Sequence, residues 1–436
     1  MTPLENCSWE PYRIKHLFTE RNEKGFAGAE PLAATQHAGV VPKSTLAFRT
    51  MEVISGEPSA QKLVQPGDFV ISLRSFEGGL EYSAYGGILS PAYTVLMPGA
   101  NVFPPFFKHA LKSEQFVQSL SKHKKGIRDG QAVPFDSLQD DYFLVPPIKE
   151  QERIANFLDD KTARIDALIA EKERLVLAVR DYEQAELSRI LTHGLDAAQS
   201  APTGRPFITE APIQWRVVAF KRALAGLAQG WSPQCESRPA EAQEWGVLKV
   251  GCVNGTSFDA NENKALPAAL EPDLTCVLQK GDVLVSRANT RELVGMAAMV
   301  EDDHPNLLIC DKLYKLKLRP DWITAEFSVL LLRSDASRRQ IERGASGASS
   351  SMQNISQDVI RELLVALPPI AEQAEIVKKA KQIRESCNLL ARHCEEHISR
   401  LREYRSSLIS AAVTGQLDVG TVEGAHRRLL ENALPA

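Results

Sequence analysis

The side chains best suited to chemistry in this sequence are hydrogen-bond donors. Arg74, Lys122, Lys124, Lys125, Arg128 and Gln131 fall in the first half. Lys249, Asn254, Arg287, Asn289, Arg291 and Arg343 fall in the second, where the glycine-serine run 344–351 adds Ser346, Ser349 and Ser350. Arg and Lys suit guanine edges and phosphates, and Asn and Gln suit adenine edges. A glycine-serine loop can lay backbone N–H groups against a phosphate. Together these residues describe a chemistry of nucleic-acid binding; a solvated surface and a flexible connector are the bland alternatives.

Catalytic constellations are missing. No Gly-x-x-x-x-Gly-Lys-Ser/Thr phosphate loop occurs. An adenine methyltransferase needs a polar residue ahead of Pro-Pro-aromatic, and the nearest match puts Phe103 before Pro104-Pro105-Phe106. No glycine-rich methyl-donor turn accompanies it. A nuclease core would want an acid on one strand and Glu-x-Lys on the next, but Glu77 runs into glycines. His393-Cys-Glu-Glu-His397 has the spacing of a zinc protease motif. It reads as coincidence, because His397 falls on a helix seam where an earlier repeat holds Leu175. No metal site is expected. The acidic pairs Asp159-Asp160 and Glu395-Glu396 point about 100° apart on a helix and read as solvated faces.

The elements that must position these donors are written twice. A shift of 222 residues pairs 146–196 with 368–418 without a gap, and 14 of the 51 pairs are identical. Pro-Pro-Ile-x-Glu-Gln opens both copies, at Pro146 and Pro368. Proline suits a helix start and not its interior, so each copy reads as a long helix. Apolar residues at Ile154, Leu158, Ile165, Leu168, Leu175, Val179 and Tyr182 predict a heptad seam in the first. Ile376, Ala380, Ile383, Cys387, Leu390, Cys394, Leu401, Tyr404 and Leu408 predict it in the second. Ile169, Val176 and Ile398 flank the seams. Each rod needs a partner, and the natural one is its own repeat. Antiparallel pairing is preferred, since it gives each preceding globular domain room.

Weaker echoes lie upstream. Gln65-Pro-Gly-Asp68 before an apolar strand matches Gln279-Lys-Gly-Asp282, and Trp9 matches Trp215. Strands are predicted at 69–73, 93–97, 247–253 and 283–285, and helices within 106–125 and 323–343. The predicted organisation is a first globular domain over 1–143, a central helical spacer over 144–196 and a linker over 197–212. A second globular domain then covers 213–365, a C-terminal helical spacer 366–418, and a tail 419–436.

Composition bounds the rest. With 436 residues, 44% hydrophobic and 24% charged, the chain holds two or three soluble domains. No apolar run reaches the ~20 residues of a membrane helix. No signal peptide is visible over 1–9, and seven cysteines without a framework predict a reducing, cytoplasmic setting. The net charge of −4 argues against a strongly basic nucleic-acid binder. The acidic excess falls mostly on the first rod, so the nearly neutral globular halves predict weak DNA binding by the chain alone.

The arrangement resembles the specificity subunits of type I restriction–modification systems. Carrying the resemblance are the two Pro-Pro-Ile-x-Glu-Gln helices and the helix ends Thr192-His-Gly-Leu-Asp196 and Ala412-Val-Thr-Gly-Gln-Leu417. Gly87-Ile-Leu-Ser-Pro-Ala-Tyr93, Gly230-Trp-Ser-Pro233 and Gly281-Asp-Val-Leu-Val-Ser-Arg-Ala-Asn289 add to it. Departures fall in the second seam, with Ala380 in place of Leu158 and the more polar Cys387, Cys394 and His397.

The resemblance implies two mixed α/β target-recognition domains, separated by two long helices in an antiparallel coiled coil with pseudo-two-fold symmetry. Each domain would read half of a bipartite double-stranded DNA target. The helices would set the spacing and dock two modification subunits, joined by two restriction subunits. S-adenosylmethionine, ATP and Mg would sit on those partners, with no cofactor and no catalytic residue on this chain. Alternatives are a self-contained adenine methyltransferase and a coiled-coil scaffold that binds no DNA.

Overall fold

The computed structural model describes residues 9–26, 28–36, 38–46, 60–71, 79–120, 122, 134–195, 200–349 and 352–422. The chain forms two compact units, residues 1–174 with 394–436, and residues 175–393. Two continuous helices, Ile148–His193 and Ile370–Val413, run for 46 and 44 residues and give one half to each unit. Among the described residues no helix is long and apolar enough to cross a membrane.

Both units use one frame. In the first, an antiparallel sheet runs in the order Phe18–Arg21, Thr94–Pro98, Phe69–Ile71, Glu81–Tyr82. In the second, the order is Leu224–Gln229, Leu313–Leu318, Val283–Ser286, Ala297–Met299, again antiparallel. The third strand of each follows the same turn. The Gln65 N–H donates to the Asp68 carboxylate at 2.8 Å, and Gln279 does so to Asp282 at 2.8 Å. Gly67 and Gly281 take φ of +97° and +88°, a region that favours glycine. Each unit then adds two helices, Pro104–Ala110 and Glu114–Leu120, or Ala325–Leu332 and Asp335–Gly344.

A two-stranded ladder leads into each long helix. Glu10–Arg13 pairs with Tyr142–Val145, and Arg216–Ala219 pairs with Leu364–Leu367. Trp9 and Trp215, just before these ladders, are both buried. The Pro147 and Pro369 carbonyls accept the first helical N–H groups. The glutamine of the repeated motif then ties the helix to the domain. Gln151 accepts from the Phe103 N–H at 2.8 Å and donates to the Asn101 and Pro146 carbonyls at 3.0 and 2.8 Å. Gln373 repeats this, accepting from the Thr324 N–H at 2.9 Å and donating to Trp322 and Pro368 at 2.9 and 3.0 Å. Both side chains are buried, so each amide must satisfy its donors and acceptor within the protein.

The helix halves share the core of the unit they enter. In the first unit Ile154, Leu158, Ile165 and Ile169 pack with Ile398, Leu408, Ile409 and Val413 around Phe106, Phe107 and Phe143. Asp166 meets Arg405 and Glu173 meets Arg402, each at 2.8 Å, so position rises on one helix as it falls on the other. The pairing is antiparallel. In the second unit Val179, Ile190 and Leu191 share a core with Ile376, Ala380, Ile383 and Cys387, and Glu183 lies 3.8 Å from Arg384.

The seam differs in phase from the predicted heptads. Leu168, Leu175, Tyr182, Leu390, Tyr404 and His397 are exposed, while Ile169, Ala391 and Ile398 are buried. Buried positions recur at Ile376, Cys387, Ile398 and Ile409, a spacing of 11 residues. Eleven residues over three turns track the natural helix period, whereas a strict heptad drifts about 20° per repeat on an unsupercoiled helix. The drift carries Leu168, Leu175, Tyr182, Leu390 and Tyr404 off the contact face, while the predicted positions Val179, Cys394 and Leu408 stay buried.

Further differences concern strands. Val247 and Leu248 lie in a strand, but Val250–Val253 forms a 3-10 turn. The glycine-serine run does not form an open loop over its described part, because Ser346–Ser349 is a strand of a three-stranded sheet. The segment around the 197–212 boundary carries a ladder of Ser200–Pro202 with Glu210–Pro212, and Ile208 and Ala211 enter the second unit's core.

Candidate nucleic-acid interface

The second unit gathers most of its predicted donors at the end of one strand. Val283–Ser286 continues through Arg287 into the short strand Ala288–Asn289. That strand pairs antiparallel with Met352–Asn354, which pairs in turn with Ser346–Ser349. Asn289 therefore stands opposite Gln353, and Ser346 opposite Asn354. Arg287 is fixed through its backbone: its N–H donates to the Lys312 carbonyl at 2.8 Å, and its carbonyl accepts from Ile355 at 3.0 Å. Its guanidinium reaches the Asp311 carbonyl at 3.4 Å.

A second segment meets this strand end. Gly246–Leu248 leads through Lys249 and the turn Val250–Val253 to Asn254. The Asn289 amide donates to the Asn254 oxygen at 2.9 Å and accepts from the Thr290 N–H at 2.9 Å. No partner for the Asn254 amide nitrogen lies among the described residues, and the oxygen keeps a second lone pair. A donor beside an acceptor is what adenine N7 and N6 require in the major groove. Lys249 is partly neutralised, its ammonium 3.3 Å from Glu262.

The turn after Asn289 is held tightly. Leu293 and Val294 donate to the Thr290 carbonyl at 3.1 and 2.8 Å, and the Ser286 hydroxyl donates to Leu293 at 2.6 Å. Gly295, at φ +78°, lets Ile341 of the helix Asp335–Gly344 approach so closely that a Cβ would stand 2.6 Å from its methyl carbon. Two arginines, Arg333 just before this helix and Arg338 within it, were not among the predicted donors. Arg333 donates to the Ala297 carbonyl at 2.6 Å, to Gly255 at 2.6 Å and to Val253 at 3.3 Å. Burial lowers its pKa to about 10, helped by the nearby charges of Arg384 and Arg338. Arg338 donates to the Val294 carbonyl, to Glu292 at 3.0 Å and to Arg291 at 3.5 Å.

Asn254, Arg287, Asn289, Arg291 and Ser346 are thus assembled by shared backbone or side-chain contacts. Arg343 has another partner: its guanidinium lies 5.9 Å from the Phe207 ring centre. The strand holds the Ser349 backbone, while its side chain and Ser350 lie outside the described residues. In the first unit Lys122 is exposed, and Arg74, Lys124, Lys125, Arg128 and Gln131 lie outside the described residues. Gln353 escaped the sequence reading because only strand register places it opposite Asn289. Arg333 and Arg338 escaped it because their targets are carbonyls distant in sequence.

Two units of one frame, each pairing halves of long antiparallel helices, define an internally duplicated α/β protein. Comparison with characterised proteins places it more closely. The chain is 33% identical over 187 residues to the Escherichia coli type I restriction enzyme EcoEI specificity subunit, covering 43% of this chain and 31% of that one. It is 26% identical over 328 residues to the EcoKI specificity subunit of Escherichia coli (strain K12), covering 74% and 68%. Identity to the StySPI specificity subunit of Salmonella potsdam is 21% over 325 residues, covering 74% and 67%. Thus the chain matches about a third of the length of the first relative and about two thirds of the others.

Among solved structures, a chain from work on complex assembly and conformational transition of the type I R-M system superposes with a TM-score of 0.71. It is 17% identical, and the match covers 94% of this chain and 98% of that one. The crystal structure of the HsdS subunit from Thermoanaerobacter tengcongensis gives 0.55, also at 17% identity, covering 94% and 97%. No established family profile matches the chain. In sequence the chain is thus similar to type I restriction enzyme specificity subunits, over as much as 74% of its length.

Proposed function

We propose that this chain is the DNA-specificity subunit of a type I restriction–modification complex. Each globular domain reads one half of a bipartite target, and the chain performs no catalysis itself. The observation that carries this reading is one frame bearing unlike donor-rich segments. The Gln-x-Gly-Asp turn, the four-stranded sheet and the buried glutamine recur in both units. The donor-rich segments differ, with Gly126-Ile-Arg-Asp-Gly-Gln131 in one and Gly344-Ala-Ser-Gly-Ala-Ser349 in the other. A repeated scaffold with divergent readers suits an asymmetric two-part sequence.

The helices support a partner role. Ile154/Ile376 apart, buried seam pairs differ between the repeats, as in Leu158/Ala380, Ile165/Cys387 and Ile169/Ala391. Leu168/Leu390 and Tyr182/Tyr404 are identical, yet they are 45%, 44%, 60% and 58% exposed. Packing within the chain gives no reason for identity there, whereas two copies of one partner would. In this reading Leu168 and Tyr404 dock one modification subunit, and Leu390 and Tyr182 dock the other. S-adenosylmethionine belongs to those subunits, and ATP and Mg to two restriction subunits, all in the cytoplasm.

The test is a domain exchange. The full chain is reconstituted with modification subunits, methylated adenines are mapped, and residues 205–365 are then replaced by those of another specificity subunit. One half of the target should change while the other stays. Alteration of both halves, or of neither, would refute two independent readers.

A further inference from the structure

The guanidinium of Arg333 is half-buried and takes three backbone carbonyls as acceptors, and two of them, Val253 and Gly255, flank Asn254. Its third, Ala297, belongs to the central sheet. Arg338, five residues on, takes the carbonyls of Arg291, Glu292 and Val294. Each arginine thus holds a loop that carries a candidate base- or phosphate-contacting side chain. The two loops also meet each other, through the bond from Asn289 to Asn254. Orienting Asn254 for a base edge requires its backbone to be fixed to within a fraction of an ångström, and a loop does not supply that alone.

We propose that Arg333 and Arg338 are positioning residues for base readout by the second unit, acting through Asn254 and the 290–294 turn rather than by contacting DNA. The proposal rests on the reading of that unit as a DNA reader. Arg333 uses the fork of its planar guanidinium: Nε serves the sheet and Nη2 the Asn254 loop. A lysine keeps the charge but lacks the rigid planar fork that presents two separated nitrogens to the two segments in fixed directions. The charge also remains next to Arg338 and Arg384, so it adds positive potential beneath the loops without leaving its carbonyls.

The experiment uses the full chain reconstituted with modification subunits. The probe is a duplex carrying the adenine target mapped with the wild-type complex, together with duplexes altered at single bases in either half. Relative methylation rates then give discrimination at each base. In R333K and R338K, discrimination should fall about tenfold at bases of the second half and stay unchanged across the first. The first half serves as a control for folding within the same molecule. N254A should lose discrimination at the bases affected by R333K, and the double variant should lose no more.

A direct phosphate contact predicts otherwise. R333Q would then weaken all duplexes equally and reduce the salt slope by about one, with discrimination intact. That result overturns the proposal, as does an additive loss in the double variant. Should R333K fail to fold, R338K and N254A decide. A wild-type complex that reads no two-part target defeats the functional reading. A two-part target read identically by every variant defeats only this inference.

Discussion

Replacing Leu168 and Tyr404 with alanine should remove one of two docking events and leave the other. Both residues belong to the first unit and lie at facing levels of the antiparallel helices, between the Asp166–Arg405 and Glu173–Arg402 pairs. A tyrosine presents about 200 Å² in full, and the two exposed fractions of 45% and 58% leave about 200 Å² of largely apolar surface between them. Covering that area is worth at most about 5 kcal/mol. Ordering side chains on association consumes part of this, so the double replacement should cost about 2–4 kcal/mol, or about 30- to 1000-fold in affinity. Folding stability should move by only about 0.5 kcal/mol, since the side chains are exposed.

Native mass spectrometry counts the bound modification subunits, and calorimetry gives the affinities. Wild type should take two, L168A/Y404A one tightly, Y182A/L390A one tightly, and the fourfold variant none at micromolar concentration. Two subunits bound to L168A/Y404A with unaltered affinity would defeat the argument from repeat identity. A parallel loss at both sites in either double variant would defeat the assignment of one patch to one partner.

Gln151→Ala should leave the Phe103 N–H and the Asn101 and Pro146 carbonyls without their buried partner. The expected loss is about 3 kcal/mol, read as faster amide exchange at Phe103 with Thr324 in the second unit unaffected. The Asp159 carboxylate receives hydrogen bonds from His109 at 2.7 Å and Lys108 at 2.8 Å. The bond from His109, more than the opposing burial, lowers its pKa to about 2 from 3.8. Because the folded value is depressed, the stabilisation is complete above pH 3.8 and fades as pH falls through 2. The carboxylate is 44% exposed, so solvent screening reduces the effect to about 1 kcal/mol. Thermal unfolding of wild type and D159N from pH 2 to 6 should converge at the acid end; a constant difference would show that the pair does not titrate as described.

Much of the frame was legible because it is local and written twice. Pro146-Pro147 and Pro368-Pro369 set the helix starts through the fixed φ of proline. Gln65-x-Gly-Asp68 and Gln279-x-Gly-Asp282 spell a turn whose carboxylate closes on an N–H three residues back. Trp9 and Trp215 mark equivalent buried corners. The sequence alone therefore determined that two similar domains each precede a long helix, that the helices have an apolar stripe, and that the obvious catalytic motifs are missing.

Tertiary structure decided the phase of that stripe and the company of the donors. Leu168 and Ile169 are equally apolar and adjacent, and only the period imposed by a packed partner helix turned Ile169 inward and left Leu168 in solvent. Ser346, Asn289 and Asn254 are separated by long stretches of chain, and strand register with one amide hydrogen bond brings them together. Arg333 looks like any surface arginine in the sequence, because carbonyl acceptors carry no side-chain signature. Short-range propensity and repetition are properties of neighbouring residues, whereas burial, register and hydrogen bonding across loops exist only once distant segments are packed.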